Sequence, residues 1–146
     1  MISLVDTQML DAAVGLFEAQ LQEHGITVSR NDLRMVAQTI VADRRYGFML
    51  LASAPGGNPI GAAYASSLLS LEHGGVSGWV EELYVLPHWR GRGIGSRLIA
   101  EVVARARELG WRALDLEVDA SHQRAISLYA RHQFKPHSRS RYYRVL

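Results

Sequence analysis

Apolar residues along the chain change between the spacing typical of strands and that typical of helices. Runs rich in β-branched and aromatic residues predict strands, and apolar residues that recur every three or four positions predict one face of a helix. Strands are predicted over residues 2–5, 48–52, 60–67, 80–86 and 114–118, with one or two closing strands after Phe134 that include Tyr142, Tyr143 and Val145. Helices are predicted over residues 7–24, 29–43, 96–109 and 123–132.

Capping and turn residues set the expected boundaries of these elements. Thr7 is expected to cap the first helix and Gly25 to end it. Ser29 and Asp32 have capping-box spacing at the second helix, although Asp is not the usual partner. Residues 71–78 are predicted to form a glycine-containing loop before the strand at 80–86.

The order of the predicted elements is β-α-α-β-β-β-α-β-α-β. This order predicts an α/β fold with a mixed central β-sheet flanked by helices, in which one β-α-β unit joins parallel strands with a right-handed crossover. The length of 146 residues suits a single domain, residues 1–146.

Composition narrows the functional classes. The hydrophobic share of 48% and charged share of 21% are typical of a globular protein, and no apolar run is long enough to span a membrane. No signal peptide is evident, so we expect a cytoplasmic protein without a membrane partner. The absence of cysteine excludes disulfides and a thiol nucleophile, and the six histidines show no metal-ligand spacing. A net charge of +2 suits an anionic ligand better than a nucleic acid.

A glycine-rich turn, residues 90–95, joins a predicted strand to a predicted helix and is the clearest functional signal. Pro87 ends the strand, and the helix is expected to open at Ser96. The first amides of a helix lack partners within the helix and attract anions, and glycines let an oxyanion approach the backbone. Arg90 and Arg92 add positive charges that suit phosphate. The turn therefore predicts a phosphate site.

Two common phosphate motifs do not fit this turn. No Gly-Lys-Ser/Thr sequence follows, which excludes a Walker A loop. A dinucleotide fingerprint would start at Gly91-x-Gly93, but Ser96 stands where its third glycine belongs. Asp115 lies twenty residues after Gly95, as a ribose-binding acid would. A nucleotide-dependent oxidoreductase stays an alternative, although only one β-α-β unit is present.

The remaining pattern, Arg90-x-x-Gly93-x-Gly95 after E-E-L-Y-V-L-P at 81–87, resembles the coenzyme A-binding motif of the GNAT family of N-acetyltransferases. The element order also resembles the fold of that family over nearly the whole chain. The resemblance implies acetyl-CoA as cosubstrate, with the pantetheine arm held by the backbone of the preceding strand. The implied coenzyme contacts are Leu83, Tyr84, Val85, Arg90, Gly91, Arg92, Gly93, Ile94, Gly95, Ser96 and His122.

A second block, residues 116–129 followed by Phe134, carries the resemblance further. The family typically shows Asn where His122 stands and Gly where Gln133 stands, so we expect a weaker helix cap and a slightly strained turn. Tyr129 matches the family tyrosine that faces the coenzyme sulfur. The resemblance implies that its hydroxyl stabilises or protonates the leaving thiolate.

Three carboxylates are candidates for the base that removes the amine proton: Glu81, Glu82 and Glu117. Glu81 shares strand parity with Leu83 and Val85, so alternation predicts that Glu81 and Glu82 face opposite sides of the sheet. Glu81 matches the carboxylate of family members that act on small amines, and Glu117 matches the base of members that modify protein N-termini. Glu81 is the favoured catalytic base, together with Tyr129 as the second catalytic residue.

The sequence thus predicts an acetyl-CoA-dependent N-acetyltransferase that acts on a small-molecule amine by direct attack, with no metal. Transfer to protein or peptide N-termini is one alternative, and a non-catalytic acetyl-CoA-binding regulatory module is another. The identity of the amine is left open, as is a homodimer, which is frequent among relatives.

Overall fold

The computed structural model covers residues 1–146 and has nine main elements. The strands are β1 (Ile2–Leu4), β2 (Gly47–Ser53), β3 (Pro59–Ser70), β4 (Gly75–Val85) and β5 (Leu114–Leu116). The helices are α1 (Leu10–Glu23), α2 (Arg30–Ala42), α3 (Ile94–Glu108) and α4 (Gln123–Arg131), with short 3₁₀ turns at Arg44–Tyr46 and Pro87–Trp89. None of the helices combines the length and apolar character that a membrane span requires.

The five strands form one mixed sheet in the order β1-β2-β3-β4-β5. The first four strands pair antiparallel, and β4 pairs parallel with β5. Met49 and Leu51 of β2 pack in the core shared with α1 and α2, whereas Phe48 and Leu50 pack in the core shared with α3. Because both faces are covered, β2 is a continuous apolar run. The predicted fold class, a mixed sheet flanked by helices, is confirmed.

Two of the predicted helix starts differ from the structure. The side chain that binds free N–H groups just before α1 is Asp6 and not Thr7. Its Oδ1 accepts hydrogen bonds from the N–H groups of Gln8 and Met9 at 2.8 and 3.0 Å. The helix α3 begins at Ile94, two residues before the predicted start. The predicted cap of α2 is confirmed, since Oγ of Ser29 accepts from the N–H of residue 32 at 3.0 Å.

The predicted loop at 71–78 is wrong in its second half, because β4 already begins at Gly75. Gly75 pairs with Ser70 and Gly78 with Ser67, so these small residues extend the hairpin rather than interrupt it. Position 78 requires a glycine because the Trp111 ring lies against its backbone. A Cβ at Gly78 would lie 2.2 Å from Cζ3 of Trp111.

We expect Gly78→Ala to destabilise the fold by about 1–3 kcal/mol, because the added methyl group has to displace the Trp111 ring. Urea unfolding followed by circular dichroism measures this change. Gly15→Ala in α1 is the matched control. No atom lies within 4 Å of its added Cβ, and alanine favours the helix by about 1 kcal/mol. Equal stability of the Gly78→Ala variant and the unchanged protein would contradict the packing argument.

The predicted closing strands are absent. Residues 135–146 form no strand, and Tyr142, Tyr143 and Val145 are exposed. The edge strand β5 is only three residues long and offers few ladder hydrogen bonds to a further strand. The segment is held through side chains instead, by the ion pairs Arg139–Glu72 and Arg141–Glu117.

Candidate active site

A cleft opens where β4 and β5 separate. The two strands pair only over 78–80 and 114–116, whereas β4 continues to Val85. A β-bulge lies at the point of separation. Tyr64 pairs with Glu82 and Ala65 with Val80, which leaves Glu81 without a partner on β3. We call the opening between residues 81–85 and the chain that follows Leu116 the cleft.

Alternation of backbone hydrogen bonds decides which groups of β4 face the cleft. The N–H of Leu86 donates to the carbonyl of Ile60 on β3 at 2.9 Å. The backbone N–H and C=O groups of Tyr84, two residues earlier, therefore also point toward β3, whereas those of Leu83 and Val85 point toward the cleft. The side chain of Tyr84 is buried on the α1 side, where its hydroxyl donates to Glu23 at 2.8 Å. The geometry therefore favours Leu83 and Val85 over Tyr84 as coenzyme contacts.

The glycine turn lies at the open end of the cleft and presents a row of free amides. Gly91 and Gly93 have φ of 77° and 78°, a left-handed conformation that strains any residue with a side chain. No backbone carbonyl or side chain accepts a hydrogen bond from the N–H groups of residues 91–96, and the first helical bond of α3 runs from the N–H of Arg97 to the carbonyl of Gly93. This arrangement fits a diphosphate, because the amides and the α3 dipole favour an anion there.

The two arginines of the turn differ in what they contact. Arg90 donates from Nη2 to both carboxylate oxygens of Glu23 at 2.9 and 2.8 Å, and from Nε to the carbonyl of Val85 at 2.8 Å. These bonds from Arg90, followed by the one from Tyr84, lower the pKa of the Glu23 carboxyl. Arg92 only stacks over the Trp89 ring, at 4.9 Å from its centroid. Arg92 is thus the arginine whose charge lacks a carboxylate partner.

A contact that the sequence did not reveal links the turn to α4. Oγ of Ser96 lies 2.7 Å from Nε2 of His132. The next residue, Gln133, is the only non-glycine residue with positive φ, at 66°, which confirms the expected strain where the family has glycine. His122 precedes α4 without a side-chain capping bond, as expected for a histidine at this position. His122 is exposed, and its contact with a coenzyme stays a prediction.

Tyr129 of α4 is half-buried and packs edge-on against Phe134, with ring centroids 5.9 Å apart. Burial raises the pKa of its hydroxyl, and the charge of Glu82 raises this pKa further. The hydroxyl is therefore protonated at neutral pH and can donate a hydrogen bond. The effect of the Glu82 charge on Tyr129 indicates that the two side chains face the same region of the cleft.

The three candidate bases lie in different surroundings. Burial, followed by the charge of Glu81, raises the pKa of Glu82 to about 7. Partial burial of the carboxyl raises the pKa of Glu81, and the charge of Arg141 opposes this shift. Glu117 is exposed and forms an ion pair with Arg141. The Glu82 carboxyl thus has a pKa near neutral pH.

The predicted separation of Glu81 and Glu82 onto opposite faces does not hold at the bulge. An extra residue in one strand interrupts the alternation of side chains. Val80 and Leu83, on either side of this pair, both pack in the core shared with α3, although residues three apart in a regular strand face opposite sides.

Comparisons with known proteins show the family and the fold of the chain. Residues 11–134 match the model of the Acetyltransferase (GNAT) family. A bovine (Bos taurus) thialysine N-epsilon-acetyltransferase is 41% identical over 51 residues, which cover 35% of this chain and 30% of that protein. The matched part therefore spans less than a third of that relative.

Solved structures share the fold over nearly the full chain. An integron cassette protein from a salt-marsh metagenome superposes with a TM-score of 0.88 at 23% identity, covering 99% of this chain and 90% of its own. An aminoglycoside N-acetyltransferase in complex with CoA superposes with a TM-score of 0.83 at 22% identity, covering 99% and 93%. The family match covers most of the sequence, including the cleft, the bulge and the glycine turn. The chain is therefore a member of the acetyltransferase (GNAT) family.

Proposed function

We propose that this protein transfers an acetyl group from acetyl-CoA to an amine of a small molecule by direct attack. The observation that carries the proposal is the row of free amides at residues 91–96, at the end of a cleft in which residues 81–85 of β4 have no partner strand on the β5 side. A diphosphate linked to an extended arm carries hydrogen-bond acceptors at positions that match these free backbone groups. Two relatives are named for small amine acceptors, thialysine and aminoglycosides, which favours a small amine here.

In this proposal, the turn holds the diphosphate and the cleft edge of β4 holds the pantetheine arm. The amides of Gly91, Arg92, Gly93, Ile94, Gly95 and Ser96 donate to phosphate oxygens. The backbone groups of Leu83 and Val85 pair with the amides of the arm in the manner of an added strand. Bound acetyl-CoA supplies a thioester whose carbonyl carbon is open to attack by an amine. Arg90 supports the turn through Glu23, and Arg92 adds charge near the phosphates.

The base is one of the two carboxylates at the bulge. An alkylamine has a pKa near about 10.4, so it arrives as an ammonium ion that has to lose a proton before it can attack. A base works best with a pKa near the operating pH. Glu82, with a pKa of about 7, meets this condition, which supports Glu82 over the sequence-favoured Glu81. In the proposal, Glu81 raises the pKa of Glu82 by its own negative charge.

Tyr129 donates a hydrogen bond to the sulfur as it leaves. A free phenol has a pKa of about 10 and a thiol about 8.5, so complete proton transfer from a phenol to a thiolate is unfavourable. The raised pKa of Tyr129 makes that transfer harder still. A hydrogen bond from the phenol, with the final proton taken from the ammonium product or from water, is the role its chemistry supports.

We expect Tyr129→Phe to lower turnover by roughly tenfold to a thousandfold and to leave coenzyme A affinity nearly unchanged. Steady-state kinetics and calorimetry measure the two effects. Phe134→Leu is the control, because it disturbs the packing of the Tyr129 ring but keeps the hydroxyl. Full turnover in Tyr129→Phe would reduce Tyr129 to a packing residue.

A thioester-consumption assay over a panel of amines tests the function itself. Release of free thiol that depends on a small amine supports the proposal. Release only with peptides that have a free N-terminus would favour the alternative acceptor class and the base Glu117. Coenzyme binding without release for any acceptor would favour a regulatory module. A cytoplasmic location and a homodimer stay predictions of the sequence.

A further inference from the structure

Two side chains at the apex of the cleft contact one guanidinium group of the chain itself, and a third side chain, Glu81, lies next to them on β4. The Cζ atom of Arg141 lies 4.2 Å from the centroid of the Trp79 ring, and its Nη1 pairs with the carboxylate of Glu117. Burial raises the pKa of the Glu81 carboxyl, and the positive charge of Arg141 opposes this shift. We call Trp79, Glu81 and Glu117 the cation site.

The strand pairing fixes the position of this site. Trp79 pairs with Asp115 and Val80 with Leu116, and these are the last paired residues before the strands separate. Glu81 and Glu117 are the next residue of each strand, so they flank the apex. Glu82, whose charge reaches Tyr129, follows immediately on β4. The guanidinium of Arg141 therefore lies beside the region in which the proposed reaction takes place.

The segment that delivers Arg141 is weakly attached. Residues 135–146 form no backbone–backbone hydrogen bond, and the N–H of Arg139 donates only to Nδ1 of His137 within the same segment, at 3.0 Å. The other anchor is Arg139, whose Nη1 and Nη2 donate to the two oxygens of Glu72 at 2.8 and 2.9 Å. Exposed ion pairs of this kind contribute little to stability, about 0–1 kcal/mol, so the segment can leave the cleft at low cost.

We propose that Arg141 is an internal competitor for the acceptor and that the cation site binds a second positive group of that acceptor. An aromatic ring attracts an alkylammonium group by a cation–π interaction, and two carboxylates accept charge-assisted hydrogen bonds from it. The same two interactions hold the guanidinium. The acceptor class is then a linear di- or polyamine, with one ammonium group at the cation site and another amine group facing Glu82. This inference rests on the proposed function for the reaction, but the binding site can be tested without it.

The test measures binding of spermidine, a linear triamine, by calorimetry in the absence of acetyl-CoA. Arg141→Ala should lower the spermidine dissociation constant at least about fivefold, because the competing cation is gone and Glu81 and Glu117 lose their partner. Arg144→Ala is the matched control, since it removes the same charge from the same exposed segment and Arg144 forms no ion pair. Arg144→Ala should leave the dissociation constant within about twofold of the starting value.

Two further variants identify the site. Adding Glu117→Gln to Arg141→Ala should reverse the gain in affinity, and adding Trp79→Leu should do the same provided that circular dichroism shows a folded protein. Unchanged spermidine affinity in Arg141→Ala, or an equal gain in Arg144→Ala, would overturn the proposal. Thiol release is measured separately, so tight spermidine binding without turnover would contradict the proposed function alone. Turnover without the gain in affinity would contradict the cation site alone.

Discussion

Replacing Gly93 by valine should raise the coenzyme A dissociation constant at least about tenfold, which corresponds to roughly 1.4 kcal/mol. Gly93 has a φ of 78° and precedes the free amides of α3, and nothing lies within 4 Å of a Cβ built on it. The added side chain therefore has room in the free protein but projects into the space in front of the amides. It also strains the left-handed backbone that aims those amides.

Gly110→Val separates strain from ligand exclusion. Gly110 has a φ of 72° and equally open surroundings, but it follows the opposite end of α3. Both variants should lose about 1–2 kcal/mol of unfolding free energy, as expected for a side chain in this conformation. Only the Gly93 variant should lose coenzyme affinity by calorimetry. A folded Gly93→Val protein that binds coenzyme A as well as the parent would refute the proposed phosphate site.

Gly95 needs a different interpretation from the one its motif suggests. A Cβ at Gly95 would lie 3.6 Å from Cδ2 of Leu128 and 3.9 Å from Cγ2 of Val85, which are ordinary contacts. The hydrogen of Gly95 thus points between β4 and α4 rather than toward a ligand. A Cβ would fit there without a clash, so the packing of α4 against the turn does not require a glycine at this position.

Local features of the site were predictable from the sequence, because short-range rules decide them. The turn at 90–95 needs residues that tolerate positive φ, and glycines at 91 and 93 meet that need. The apolar spacing of α3 and α4 identified both helices to within two residues, because each packs one face against the sheet.

Features that depend on long-range contacts were not predictable. Arg90 looked like a phosphate ligand, but Glu23, 67 residues away, holds its guanidinium. A period of two cannot reveal one extra residue, so the bulge at Glu81 was missed together with its effect on Glu82. The aromatic and β-branched residues after Phe134 favour a strand, but β5 ends at Leu116 and gives them too short an edge.

We expect Glu82→Gln to lower turnover at pH 7 at least about tenfold while making the protein more stable at alkaline pH. The activity loss follows from removal of the base. The stability gain follows from linkage, because the folded carboxyl has a pKa of about 7, above its ordinary value of 4.5. As the pH rises from about 4.5 to about 7, the unfolded chain releases this proton before the folded chain does, so the stability of the parent protein falls.

Glutamine does not titrate, so the stability of the Glu82→Gln variant does not fall over this pH range. The difference in unfolding free energy between variant and parent should be small at pH 5 and should grow to at most about 3 kcal/mol at pH 8, at 1.36 kcal/mol per pKa unit. Urea unfolding at the two pH values measures it. An equal difference in unfolding free energy at pH 5 and pH 8 would show that folding does not raise the pKa of the Glu82 carboxyl.

The pH dependence of kcat/KM then identifies the base. In the parent protein, kcat/KM should rise with pH up to about 7 and then level off, because a deprotonated Glu82 accepts the proton of a bound ammonium ion. In Glu82→Gln, it should keep rising toward about pH 10, because only the unaided loss of the amine proton remains. Glu81→Gln should move the bend at pH 7 to lower pH, since the like charge that raises the pKa of Glu82 is gone. If instead Glu81→Gln abolishes the bend and Glu82→Gln keeps it, the base is Glu81.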